Sequence, residues 1–201
     1  MARFFSKSPD ELEPSEEAPE VYERNVWIGA RVMAGTTIMF FAAFVFAYFY
    51  LRSLNNSGQW RPAGIDTPQA FGAVIVALFA SSAILFLIAA RTAGRGGKWL
   101  APAGLALGLG LAGCVVQVFE WAHMDFGPQN GGWASVFIGW TALFVVFVLT
   151  SMFWVEAIFA EGLRNRGGAS VHVPVGIADA AFFWAVLASI GVVSWVILYL
   201  L

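Results

Sequence analysis

The residues of this chain that could do chemistry are few and scattered. Gln117, Glu120 and Trp121 form one polar constellation inside an apolar stretch. Gln117 and Glu120 are i, i+3 neighbours, so a helix sets them on one face. A carboxamide and a carboxylate there can hydrogen-bond to another helix, as polar side chains do when they glue membrane helices, or hold a lipid headgroup through water. Both readings stay open on the sequence. His123 and His172, the two histidines, fall in turn-forming stretches expected on opposite sides of the molecule. They cannot share one metal or haem, and neither has a second ligand at helical spacing. The single cysteine, Cys114, rules out an internal disulfide and a cysteine-based metal cluster. Met33, Met39 and Met152 lie in apolar stretches, where a lone methionine is far more often packing than ligand. Serine–histidine hydrolysis and the HExxH zinc arrangement have no residues to run on. No catalytic, cofactor-binding or metal-binding residue is therefore expected.

The elements that must carry these residues follow from composition. The chain has 201 residues, 59% hydrophobic and only 12% charged, with a mean hydropathy of +0.73. Soluble domains sit nearer a quarter charged; here the charges are too few to cover a globule, so lipid must solvate the rest. A helix needs about 20 apolar residues to cross the hydrocarbon. Five stretches qualify: 27–51, 69–91, 99–122, 133–156 and 178–201. Their apolar runs lack strict alternation, which argues for helices over a closed barrel. The expected fold is an all-α membrane bundle of five transmembrane helices over 27–201. Before it, residues 1–26 read as a solvated, disordered acidic tail. With acids from Glu11 to Glu23, this start resembles neither a basic transit peptide nor a secretory signal.

Lys and Arg set the orientation. Of the 11 basic residues, nine fall on the N-terminal side: Arg3, Lys7, Arg24, Arg31, Arg91, Arg95, Lys98, Arg164 and Arg166. Only Arg52 and Arg61 fall on the other. The N-terminus is expected in the cytoplasm and the C-terminus across the membrane. No basic stripe for nucleic acid exists. Ionisable groups within spans are functional candidates by default, but Arg31, Asp179, Glu156 and Glu120 all sit within a turn or so of a span end, and no relay of paired acids can be drawn. Arg31 is expected to snorkel to the surface, and Asp179 to sit at a favourable helix N-terminus. The third helix carries small residues at four-residue spacing, Gly104–Gly108–Ala112 and Ala106–Gly110–Cys114. That spacing lets helix backbones approach closely.

Several stretches resemble subunit III of the haem-copper oxidases. Ile38-Met39-Phe40-Phe41-Ala42-Ala43-Phe44, continuing to Phe46-Ala47-Tyr48-Phe49, is similar to the first helix common to that family. Gly58-Gln59-Trp60-Arg61-Pro62 resembles its Trp-Pro turn, Ser81-Ser82 its serine pair, and Gln117-Val118-Phe119-Glu120-Trp121 its Gln-x-x-Glu-aromatic motif. Trp133-Ala134-Ser135-Val136-Phe137, Phe182-Phe183-Trp184 and Trp195 through Tyr199 resemble the stretches that open its next helix and that open and end its last one. The order and spacing agree over 27–201, and five helices match the shorter bacterial form. The chain departs from the family at Thr37, where a glutamate is usual, at Phe144–Phe147 in place of a His-Gly-Leu-His stretch, and at Ala185 and Ala188 in place of a histidine and an aspartate. Only Gln117 and Glu120 carry over as polar motif members.

The resemblance implies a non-catalytic accessory subunit in the bacterial cytoplasmic (inner) membrane. It would pack beside the catalytic subunit and other oxidase subunits, hold phospholipid and support proton uptake and durable turnover. Haem and copper would reside in partner subunits. Gln117, Glu120, Trp121 and Trp60 are the candidate subunit or lipid contacts; Gly104, Gly108 and Gly110 are candidate helix-packing positions. Two alternatives are an accessory protein of a nitric oxide reductase and a small transporter. The latter lacks the internal repeat and mid-span breaks usual in transporters.

Overall fold

The computed structural model of the chain describes residues 19–55, 58, 60, 61, 64–164 and 172–201. Among these the protein is all-α. The helices are α1 (Pro19–Ser53), α2 (Gln69–Gly94), α3 (Leu100–Ala122), α4 (Gly132–Arg164) and α5 (His172–Trp195), and α5 continues into a π-helical turn, Val196–Leu200. All five are long and apolar enough to cross a membrane. The chain is a multi-pass membrane bundle.

α2 and α3 keep close to their expected limits, while α1 and α4 overrun theirs. α1 starts at Pro19 instead of 27, with Glu20 in its first turn. Proline is favoured at a first helical position and an acid suits the positive end of the helix dipole. Residues 19–26, expected in a disordered tail, thus belong to the helix; the rest of that tail, 1–18, lies outside the described residues. α4 runs on to Arg164, and α5 opens at His172, so His172 belongs to a helix instead of a loop. Hydropathy marks where lipid ends, but a helix carries on through good helix formers such as Glu161 and Arg164. At 35 and 33 residues, α1 and α4 are about 50 Å long, against about 30 Å of hydrocarbon. Arg166, with the rest of 165–171, lies outside the described residues, as do Arg3 and Lys7.

The α2–α3 connection is short because glycine closes it. Gly96 adopts φ +69°; its N–H donates to the Ala93 carbonyl and that of Gly97 to Thr92, both at 2.9 Å. This paired capping satisfies the last carbonyls of α2 and needs a left-handed residue where Gly96 stands. The chain then turns directly into α3, and α2 packs along both α3 and α5. α5 is the hub of the bundle, lying against α1, α2 and α4. Lipid is as apolar as the core, so close van der Waals fit must hold such helices together. Glycines face aromatic rings at the crossings. A Cβ on Gly110 would come 2.8 Å from the Trp184 ring, and one on Gly113 would come 3.0 Å from Phe79. On α4, one on Gly162 would run into Trp99. The largest wholly buried side chains, among them Trp133, Trp140, Trp184, Phe86 and Phe137, fill the space between helices.

Candidate functional site: two polar clusters and an indole lattice

The first cluster joins the far ends of α3 and α5. Glu120 is 1% exposed and Gln117 3%. The hydroxyl of Tyr199 donates to the Glu120 carboxylate, 2.8 Å from Oε1 and 2.9 Å from Oε2, and the Gln117 amide nitrogen donates to Oε2. The π turn is what buries Tyr199. A π turn is wider than the 3.6-residue rotation, and Ile197, Leu198 and Tyr199 are all buried in succession. The last carbonyls of a helix lack partners within it; that of Tyr199 accepts from Thr67 Oγ1 and Gln69 Nε2, both at 3.4 Å. Gly72 makes room, since a Cβ there would come 2.5 Å from the Tyr199 ring. α2, α3 and α5 thus meet at one tyrosine.

The second cluster lies at the opposite end of α5. Arg31 Nη1 donates to Asp179 Oδ1 at 2.5 Å and to the Trp27 carbonyl at 3.1 Å. Its guanidinium carbon stands 4.0 Å from the centroid of a Trp27 ring and 4.7 Å from that of Phe182. The Asp179 side chain is 8% exposed and that of Arg31 34%. Because α5 opens at His172, Asp179 lies about two turns inside the helix and not, as expected, at its N-terminus; it pairs with Arg31, and the two tie α1 to α5. The signal in the sequence is available: opposite charges stand near the starts of two spans that must begin on the same side.

Between the clusters, indoles are paired with hydroxyls on other helices. Trp121 Nε1 (α3) donates to Thr141 Oγ1 (α4) at 3.1 Å, Trp140 (α4) to Ser194 (α5) at 2.8 Å, and Trp184 (α5) to Ser82 (α2) at 3.0 Å. Ser82 in turn donates to the Ala106 carbonyl of α3 at 2.6 Å. Trp60 works at the loop end: its N–H donates to Asn55 Oδ1 at 3.0 Å, and its carbonyl accepts from the N–H of Trp133 at 2.8 Å. The Trp60 ring meets that of Tyr48 edge-on. Arg61 lies 4.6 Å over Trp133 and donates from Nε to the Ile65 carbonyl.

These positions correct several expectations. Gln117 and Glu120 do not form a surface for lipid or another subunit; burial and the Tyr199 bonds make them internal. Trp121 is half-buried and pairs with Thr141, and Trp60 is buried against Tyr48. Gly110 does sit in a helix crossing, and a Cβ on Gly104 would stand 3.5 Å from the Phe159 ring, an ordinary contact. Gly108 is exposed, and a Cβ there would meet nothing within 4 Å. The helical period decides this: Ala103, Ala106, Gly110, Gly113 and Gln117 make the buried stripe of α3, which turns residue 108 outward. His123 caps α3 and lies outside the buried cluster, its Nδ1 2.7 Å from the Phe119 carbonyl. The sequence places Tyr199 within the Trp195–Tyr199 stretch without marking it as a site residue; its hydroxyl in an apolar run is the available sign.

Chemically, the Glu120 cluster holds a carboxylate, an amide and a phenol, an arrangement for locking helices in register. Among the described residues, no group of three or more His, Cys, Asp and Glu gathers closely enough to hold a metal ion. Compared with known proteins, the sequence matches no family model and no curated protein.

Proposed function

We infer that this chain is a non-catalytic accessory subunit, like subunit III, of a respiratory haem-copper terminal oxidase. In this reading it flanks the catalytic subunit, seals it laterally and retains phospholipid, with its N-terminus in the cytoplasm of a bacterial cell. Haem and copper belong to the partner chains.

The observation that supports it most is that the separate stretches carrying the resemblance meet in pairs. Gln117–Trp121 meets Trp195–Tyr199 through Glu120 and Tyr199. Ser81-Ser82 meets Phe182–Trp184 through Ser82 and Trp184. The Trp60 turn meets Trp133–Phe137 through a backbone hydrogen bond, and the first helix through Tyr48. That the separate stretches pack on one another is what this reading expects of a shared fold. The broad exposed apolar faces, with Met39 and Phe153 each 74% exposed and Phe46 71%, suit a chain surrounded by lipid and neighbouring subunits.

The test is mild-detergent purification through a tag on this chain, with a visible spectrum and mass spectrometry of what accompanies it. Haem absorbance and a large many-helix partner are the expected outcome, and the haem types separate an oxidase from a nitric oxide reductase. A colourless, solitary polypeptide would overturn the reading and bring the transporter forward.

A further inference from the structure

Two buried indoles, Trp133 and Trp195, stand outside the indole–hydroxyl pairing, and that of Trp195 borders a cavity. Trp121, Trp140 and Trp184 each give their N–H to a hydroxyl on another helix. The Trp195 Nε1 is buried too, yet among the described residues no protein atom accepts from it. A buried donor without an acceptor is costly, so sites of this kind normally acquire a partner. The pyrrole edge of Trp195 faces Gly72: a Cβ on Gly72 would come 2.9 Å from Trp195 Cδ1, the atom bonded to Nε1. Gly72 and Trp195 both line a cavity of about 30 Å³ where α2, α3, α4 and α5 converge.

The lining supplies what a small polar molecule needs. Gln117, Thr141 and Ser194 stand around it with Trp195; the remaining walls, such as Phe79 and Phe144, are apolar. Thr141 spends its proton on the Phe137 carbonyl and one lone pair on Trp121. Ser194 does the same with Ile190 and Trp140. Each hydroxyl keeps a second lone pair. A water requires roughly 10–15 Å³ of free space and two to four polar partners. The space and the partners both suffice for one molecule.

The geometry points to an internal water-binding site in this cavity: one ordered water accepts a hydrogen bond from Trp195 Nε1–H and donates to acceptors among Gln117, Thr141 and Ser194. The water takes the part that a serine or threonine plays for the other three indoles. Through Gln117, it also extends the Glu120–Tyr199 cluster across to α4. The inference is independent of any oxidase role, because it uses only contacts within this chain.

The test uses the full chain in lipid nanodiscs. Infrared difference spectra between H2-16O and H2-18O should contain a sharp, isotope-sensitive O–H stretch from an isolated bound water. A density map that resolves ordered waters should show a peak within hydrogen-bond distance of Trp195 Nε1. In Trp195→Phe, which keeps the ring bulk and removes the donor, both signals should vanish. Val76→Ile, on the cavity wall, should diminish them by taking up space while leaving the indole intact. A dry cavity in the unaltered protein overturns the proposal, and so does a water signal that persists unchanged in Trp195→Phe. If that variant does not fold, the unaltered protein and Val76→Ile still decide the matter.

Discussion

The two ends of α5 solve one problem in opposite ways. Near its start, Asp179 meets Arg31, a full charge pair whose arginine is about one-third exposed. Near its end, Tyr199 meets Glu120, which is 1% exposed and has uncharged partners. At the first end, a side chain that reaches the interface can share its charge with water and headgroups. At the second, every polar atom must find its partner within the protein, because lipid offers none. The difference teaches that burial, more than formal charge, sets how much each cluster holds the bundle together. A pair whose cation reaches water contributes less when made and costs less when lost than one enclosed on every side.

Breaking the enclosed cluster should have the largest effect. Glu120→Ala leaves the Tyr199 hydroxyl and the Gln117 amide without their acceptor, and should destabilise the protein by about 2–3 kcal/mol. Thermal unfolding in detergent followed by circular dichroism measures this; a loss below that of an ordinary surface substitution would break the comparison.

The crossing beside that cluster provides the next contrast. Gly110→Leu drives a side chain into Trp184, already 2.8 Å from a Cβ at that position, and should cost about 1–3 kcal/mol. Gly108→Leu, two residues away on the outer face, should cost almost nothing in the isolated chain. If both variants unfold at the same temperature, the buried stripe of α3 is misidentified. Should Gly108→Leu leave the chain intact yet displace a partner subunit on purification, the exposed small-residue face is an assembly surface.

The smallest effect is expected at the charged end. Asp179→Asn should cost no more than about 1 kcal/mol, because Arg31, about one-third exposed, can turn its charge to water, and raising salt to about 1 M, where the screening length falls to about 3 Å, should shrink that cost further. The same salt should leave the Glu120→Ala cost unchanged. A salt-insensitive loss of several kcal/mol in Asp179→Asn would mean that Arg31 is left uncompensated in lipid, and the two ends would then be alike.

How much was legible in advance differs along the chain. The apolar runs of α2 and α3 were read nearly to their ends, because glycine, proline and charge mark the turns around them. The ends of α1 and α4 were misread, since hydropathy falls at Glu20 and Glu161 while helical hydrogen bonding does not. Gln117 and Glu120 stood out as a pair by their i, i+3 spacing, but which way that face turned was undetermined. No spacing within α3 reveals that a tyrosine 79 residues later will arrive opposite.

The sequence by itself determined the class of the molecule: how many helices cross, roughly where each turns, and how few ionisable groups the spans carry. These are properties of local composition, set by the length of the hydrocarbon and by the cost of charge within it. The tertiary structure alone decided who meets whom. Arg31 found Asp179, Trp184 found Ser82, Glu120 found Tyr199, and Gly110 instead of Gly108 received a ring. Those pairings depend on how each helix is rotated and how far it slides along its neighbours. In an apolar solvent, only the detailed fit of side chains and the need to satisfy each buried polar atom set that rotation.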